Sequence, residues 1–217
     1  NIDKYIDVPK LFVEIRPWVK YGWEMVLITH EILKTFKPLN NLTKNSFLEN
    51  YEENCSNLLL EYSWDPIKLQ QCLDNSRAFQ IKKDLKKWIS LHQPFVEVVS
   101  FIKYAQNKGY KIGIISTKGK SFTSEILSNL NLLPELIFGY ESGSKVDIIT
   151  NLSINYEIKG FIEDRRTTLS NILENDQTKF ISCYLAEWGY LKNTDKIGLP
   201  QEIKLLKIKN LKELVAN

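Results

Sequence analysis

Polar residues that could do chemistry together recur in this chain where apolar runs end. Ser116-Thr117-Lys118 follows the run Tyr110–Ile115, Lys145 follows the loop Glu141-Ser142-Gly143-Ser144, and Glu163-Asp164 follows Ile158–Ile162. A hydroxyl and backbone N–H groups at a strand-to-helix turn can hold a phosphate. A lysine offers a compact positive charge to developing negative charge. Two adjacent carboxylates make a hard oxygen site, and Mg²⁺ favours one or two carboxylates with water and phosphate oxygens completing its shell. The set describes metal-assisted phosphoryl transfer and lacks a nucleophile. Each element has a plainer reading as well: Ser116 as a helix cap, Lys145 as a solvated lysine, Asp164 as a cap beside Arg165. Adjacent acids at the end of an apolar run repel each other, so Glu163-Asp164 carries the most weight.

The elements that must position these residues follow from periodicity. After residue 93, Pro94 opens a helix that Gly109 closes, with Val98, Val99, Ile102 and Ala105 as its buried stripe. Short apolar runs then alternate with helical stretches. Strands are expected at Tyr110–Ile115, Leu136–Phe138, Ile158–Ile162, Phe180–Leu185 and Ile203–Ile208. Helices are expected around Phe122–Leu130, Lys145–Asn151 and Thr167–Glu174. Such alternation means an α/β core, a Rossmann-like parallel sheet with helices on both faces, and ligands bind at the carboxyl ends of its strands. Residues 1–92 read differently. Apolar positions from Phe12 to Leu33 recur at three- and four-residue steps, Pro17 forces a break or a kink, and no strand is expected before residue 93. The expected division is a helical lobe over 1–92 and the α/β core over 93–217.

Bulk properties narrow the partners. The chain has 217 residues and 43% hydrophobic content, enough for a sizeable core, and a net charge of only +3. That balance makes no case for nucleic acid or an acidic membrane surface. Lys82, Lys83, Lys86 and Lys87 cluster between Ile81, Leu85, Trp88 and Ile89 at helical spacing, as a solvated helix face does. Cys55, Cys72 and Cys183 are scattered and odd in number, as expected of free thiols in a reducing, cytoplasmic setting. With His30 and His92 as the only histidines, zinc is not expected. No apolar run is long enough to cross a bilayer, and the first residues are not a signal peptide.

The order of the polar groups resembles the later motifs of the haloacid dehalogenase superfamily. Ile114-Ile115-Ser116-Thr117-Lys118 is similar to motif II, Lys145 to the motif III lysine at the start of its helix, and Phe161-Ile162-Glu163-Asp164-Arg165 to motif IV, whose acids bind Mg²⁺. Leu185-Ala186-Glu187-Trp188-Gly189-Tyr190 resembles the segment after motif IV in phosphoglycolate-phosphatase-like members. Arg16-Pro17 with Gly22-Trp23-Glu24-Met25 resembles part of an α-helical cap. The resemblance implies a Mg²⁺-dependent phosphatase acting on a small phosphate ester through an aspartyl-phosphate. Ser116 would bind the phosphoryl group, Lys145 would stabilise nucleophile and transferring group, and Glu163 and Asp164 would hold the metal. Thr117, Lys118, Arg16 and Glu24 would contact substrate, with Trp23 beside them. Ordinary exposed charge is the alternative for Arg16 and Glu24, and core packing for Trp23.

One departure matters. Motif I is a strand ending in Asp-x-Asp, and no Asp-x-Asp occurs here; Asp3 and Asp7 are too far apart and follow no apolar strand. The family's first, central strand is expected upstream of Asn1, and the chain as given is expected to be inactive. The strands carrying motifs II and IV would then flank an empty slot, collapse onto each other, or receive another segment such as the residues near Asn1. The alternative is a non-catalytic relative that has lost its nucleophile and serves as a binding or regulatory module. An unrelated nucleotide-binding domain is disfavoured by the absence of a glycine-rich phosphate loop.

Overall fold

The apolar periodicity of the N-terminal part closes into helices. A computed structural model describes residues 8–35 and 41–216; Asp3 and Asp7, like the residues near Asn1, lie outside them. The chain forms two compact units, Asn1–Leu85 and Lys86–Asn217. In the first, α1 (Val8–Ile15) and α2 (Gly22–Thr35) are separated at Pro17, which has no N–H to continue the ladder. The N–H groups of Trp18 and Val19 instead close tight turns onto the carbonyls of Ile15 and Arg16. Then come α3 (Asn41–Glu49), α4 (Tyr51–Glu61) and α5 (Pro66–Ser90). Asp65 starts α5 by accepting the N–H groups of Ile67 and Lys68, with Pro66 at the first helical position. The core of this unit is Ile15, Val19, Leu27, Ile28, Tyr51 and Cys55, and no strand occurs among its described residues. The backbone turns extended at Asp84 inside α5 (φ −162°, ψ 91°), one residue before the units divide. Lys82, Lys83, Lys86 and Lys87 are all exposed.

The second unit is mixed α/β with parallel sheets. Helix α6 (Val96–Asn107) ends where Gly109, at φ +86°, lets the Tyr110 N–H reach back to the Ala105 carbonyl. Tyr110 is thereby part of the helix end, and the Ile112 N–H is taken by the Glu135 carboxylate at 2.7 Å. For these reasons β1 covers only Gly113–Ile115, shorter than the apolar run suggests. The order continues α7 (Lys120–Asn129), β2 (Leu136–Phe138), α8 (Lys145–Ser153), β3 (Phe161–Glu163), α9 (Arg166–Glu174), β4 (Cys183–Ala186) and β5 (Ile203–Leu206), closing with a 3-10 segment over Ile208–Val215. Phe180 lies outside β4. It is 84% exposed in a turn anchored by the fully buried Thr178, whose hydroxyl donates to the Ile172 carbonyl at 2.8 Å.

Within the sheets β1 pairs with β2, Ile114 opposite Ile137. Separately β3, β4 and β5 pair with β4 in the middle, Ile162 opposite Tyr184 and Leu185 opposite Leu205. All pairings are parallel, and β1 is not bonded to β3. Both sheets nevertheless share a core through Ile115, and Ile112, just before β1, reaches a second. On one face Ile115 joins Phe161, Leu185, Ile149 and Leu169; on the other Ile112 joins Ile162, Tyr184, Phe101 and Leu211. The alternation of Phe161 and Ile162, and of Tyr184 and Leu185, between the two clusters is the period-two signature of strands covered on both faces.

Candidate active site

Lys145 is placed by its own loop. Gly143 sits at φ +99° with open space around it, a backbone conformation that a side chain would strain. Ser144 then caps α8: its hydroxyl oxygen accepts the Asp147 N–H at 3.1 Å, and the hydroxyl lies 2.6 Å from the Asp147 carboxylate. Lys145 is therefore the first residue of the helix, and its ammonium pairs with the carboxylate of Glu163, the last residue of β3. Glu163 has 8% of its side chain exposed and Lys145 20%. Burial pushes the Glu163 carboxyl above the ordinary range; the Lys145 charge pulls it back, and Asp164 beside it pushes it up again, with burial the strongest influence. This contact joins the loop after β2 to the end of β3, so the carboxyl ends of the two sheets meet here.

Asp164 is held from the next strand end. Its Oδ2 accepts the Tyr190 N–H at 3.0 Å, and a Cβ on Gly189 would stand 2.1 Å from the Asp164 Cβ. Two residues on, the Arg166 guanidinium donates to the carbonyls of Ile197 and Gly198 at 2.7 and 2.6 Å. The start of α9 thus grips both ends of the segment that follows β4.

At the end of β1, the Ser116 N–H extends the ladder to the Phe138 carbonyl at 2.9 Å, and the Ser116 hydroxyl oxygen accepts the Lys118 N–H at 3.0 Å. Thr117 is exposed, Lys118 half-buried and Gly119 buried. The first N–H of α7, on Lys120, is taken by the Glu141 carboxylate at 2.8 Å, and Gly139 is required there, since a Cβ would lie 2.2 Å from that nitrogen. Lys145, Glu163 and Asp164 form one cluster. Ser116 stands at the end of β1, in the other sheet, with its hydroxyl engaged locally.

Arg16 and Glu24 belong to the helical unit and are engaged inside it. The Arg16 guanidinium donates to the Val19 carbonyl at 3.0 Å. Glu24 is 4% exposed and accepts the Lys20 N–H at 2.6 Å and the Tyr51 hydroxyl at 2.8 Å. That contact helps push the Tyr51 hydroxyl far above its ordinary range, after burial itself. Trp23 packs against this unit's core and stacks on Tyr21 with centroids 6.3 Å apart. The periodicity of α2 marks Glu24 only as a charge in a helical run. Its burial arises from Tyr51, a partner on another helix.

The donor set at the strand ends is two adjacent carboxylates, with no group of three or more His, Cys, Asp or Glu arranged for a metal among the described residues. Two adjacent carboxylates, one of them already paired with Lys145, are fewer oxygen donors than a divalent cation's shell takes. The chemistry of the cluster is that of a lysine-neutralised acid pair at the mouth of a parallel sheet. No helix of the described residues is long and apolar enough to cross a membrane. No family model, curated protein or solved structure matches this chain.

Proposed function

We propose that this chain carries the α/β core and helical cap of a haloacid-dehalogenase-like phosphohydrolase. Its nucleophilic aspartate would lie on a further parallel strand, encoded upstream of Asn1 and seated between β1 and β3. The observation that carries this reading is the division of the sheet. Among the described residues β1 and β3 each pair along one edge only, while Ile115 of β1 shares one core with Phe161 of β3, and Ile112, just before β1, shares the other with Ile162. Unpaired strand edges between two packed faces call for a partner, because buried backbone N–H and C=O groups need hydrogen bonds. A strand in that place would end beside the Lys145–Glu163 pair.

In this reading Lys145 would face the charge that develops on the transferring phosphoryl group, and Ser116, with the Thr117 N–H, would bind the phosphoryl oxygens. Glu163 and Asp164 would hold Mg²⁺, which would supply charge neutralisation at the phosphoryl oxygens. The aspartate on the added strand would attack phosphorus as the P–O ester bond breaks, the leaving oxygen taking a proton from the second aspartate of the Asp-x-Asp, and water would then cleave the acyl phosphate to restore the aspartate and release phosphate. In this reading residues 1–92 are the helical cap; Thr117 and Lys118 of the core, and Arg16 and Glu24 of the cap, are the candidate substrate contacts, the last two now bonded within the helical unit.

One observation favours the non-catalytic alternative. The polar groups at the strand ends already have partners within the chain: Ser116 with Lys118, Lys145 with Glu163, Asp164 with Tyr190. The test is turnover of p-nitrophenyl phosphate with Mg²⁺ by the upstream-extended protein. Activity is expected, and Lys145→Ala should lower kcat/KM by about 10²- to 10³-fold. No turnover, or an upstream sequence without an apolar strand ending in Asp-x-Asp, would move the chain to the binding or regulatory class.

A further inference from the structure

Asp164 differs from its neighbour Glu163 in how it is held. Glu163 answers to a side chain, Lys145. Asp164 answers to the backbone of the turn that follows β4. The Gly189 N–H closes that turn on the Ala186 carbonyl at 3.2 Å, the half-buried Trp188 anchors it in the core under Tyr184 and Ile162, and the next N–H, on Tyr190, points at Asp164 Oδ2. At Gly189 the approach is closest. A methyl group there would stand 2.1 Å from Asp164 Cβ, 2.7 Å from Oδ2 and 2.8 Å from Cγ. All three are the near, stiff part of a short side chain, so a larger residue moves either the turn or the carboxylate. Phosphoryl chemistry by a carboxylate-held cation depends on where the second oxygen of that carboxylate points, and groups that orient a metal's carboxylates set its affinity.

From this we infer that Gly189 and the Tyr190 N–H form a positioning device for Asp164. The glycine supplies the space, and the amide fixes Oδ2 of a carboxylate that also faces Glu163. Neither residue touches substrate or metal; both act through Asp164. The inference rests on the phosphohydrolase reading for its cation and on the geometry alone for its contact.

The experiment uses the upstream-extended protein and Mn²⁺, a paramagnetic stand-in for Mg²⁺ whose binding is read by electron paramagnetic resonance without turnover. Gly189→Ala is expected to weaken Mn²⁺ binding about 10- to 100-fold, and Tyr190→Phe, which keeps the amide, to leave it unchanged. Thermal unfolding supplies a second readout. Gly189→Ala should lower the midpoint when Asp164 is present, and cost far less in an Asp164→Gly background, where the Cβ it meets is gone. That pair of measurements remains informative if Gly189→Ala alone folds poorly. Unchanged Mn²⁺ affinity in a folded Gly189→Ala, or equal loss of midpoint in both backgrounds, overturns the inference while the phosphohydrolase reading stands. An unsubstituted extended protein that neither binds Mn²⁺ nor hydrolyses phosphate esters overturns both.

Discussion

Glu163 is where burial and charge compete most directly. Its carboxylate faces a lysine, which by itself would make the acid stronger, yet burial of the side chain outweighs the lysine and the net displacement is upward. The sign for stability follows from linkage. A carboxyl group whose folded pKa exceeds its unfolded one holds more protons when folded. Its contribution is fully present below the ordinary glutamate value of about 4.3 and is lost as pH rises through the raised folded value. Relative to Glu163→Gln, the natural protein should therefore lose stability as pH climbs through that window. Thermal midpoints of the two proteins across the acid range check this. A natural protein that gains on the variant over the same range would mean that the Lys145 attraction prevails.

At the scale of elements, the strands are short and their worth lies in what they bury. Leu185 sits in β4, the middle strand of its sheet, and is fully buried, whereas Leu205, opposite it on β5, is 41% exposed. Leu185→Ala removes side-chain volume between β4 and α9 and should cost about 2–5 kcal/mol. Leu205→Ala should cost well under half of that, since much of its surface already meets water. Urea unfolding of the two variants separates them, and equal losses would place the core elsewhere. The same reasoning explains the turn before β4. Thr178 is fully buried with its hydroxyl satisfied, which leaves Phe180 to face solvent despite its apolar character.

For the α/β unit as a whole, the divided sheet decides behaviour. Neighbouring strands stand about 4.8 Å apart, and a strand inserted between β1 and β3 would satisfy two rows of backbone groups at once. Upstream extension should raise the thermal midpoint by roughly 2–4 °C for each kcal/mol gained, the shift expected in a chain of this length. It should also slow amide exchange at Ile114, Ile115, Phe161 and Ile162. A chain beginning at Asn1 that unfolds cooperatively at the same midpoint, with β1 and β3 amides equally protected, would remove the added strand from the proposal and with it the predicted nucleophile.

Local chemistry settled much of this protein. The three- and four-residue steps from Phe12 to Leu33, the break at Pro17, the Pro94-to-Gly109 helix and the strand at Leu136–Phe138 are all legible in the sequence, because helix period, proline and glycine act within a few residues of themselves. So is the placing of Lys145 and Glu163-Asp164 beside strand ends, since an apolar run must stop where its polar neighbours begin. Tertiary structure decided what depends on partners distant in the chain. The Lys145–Glu163 pair, the burial of Glu24 under Tyr51 and the clasp of Gly189 and Tyr190 on Asp164 each join residues from separate elements. The parting of β1–β2 from β3–β4–β5 is of the same kind. A strand's side chains can announce that it is covered on both faces, but its edges are read only by the neighbour that does or does not lie alongside.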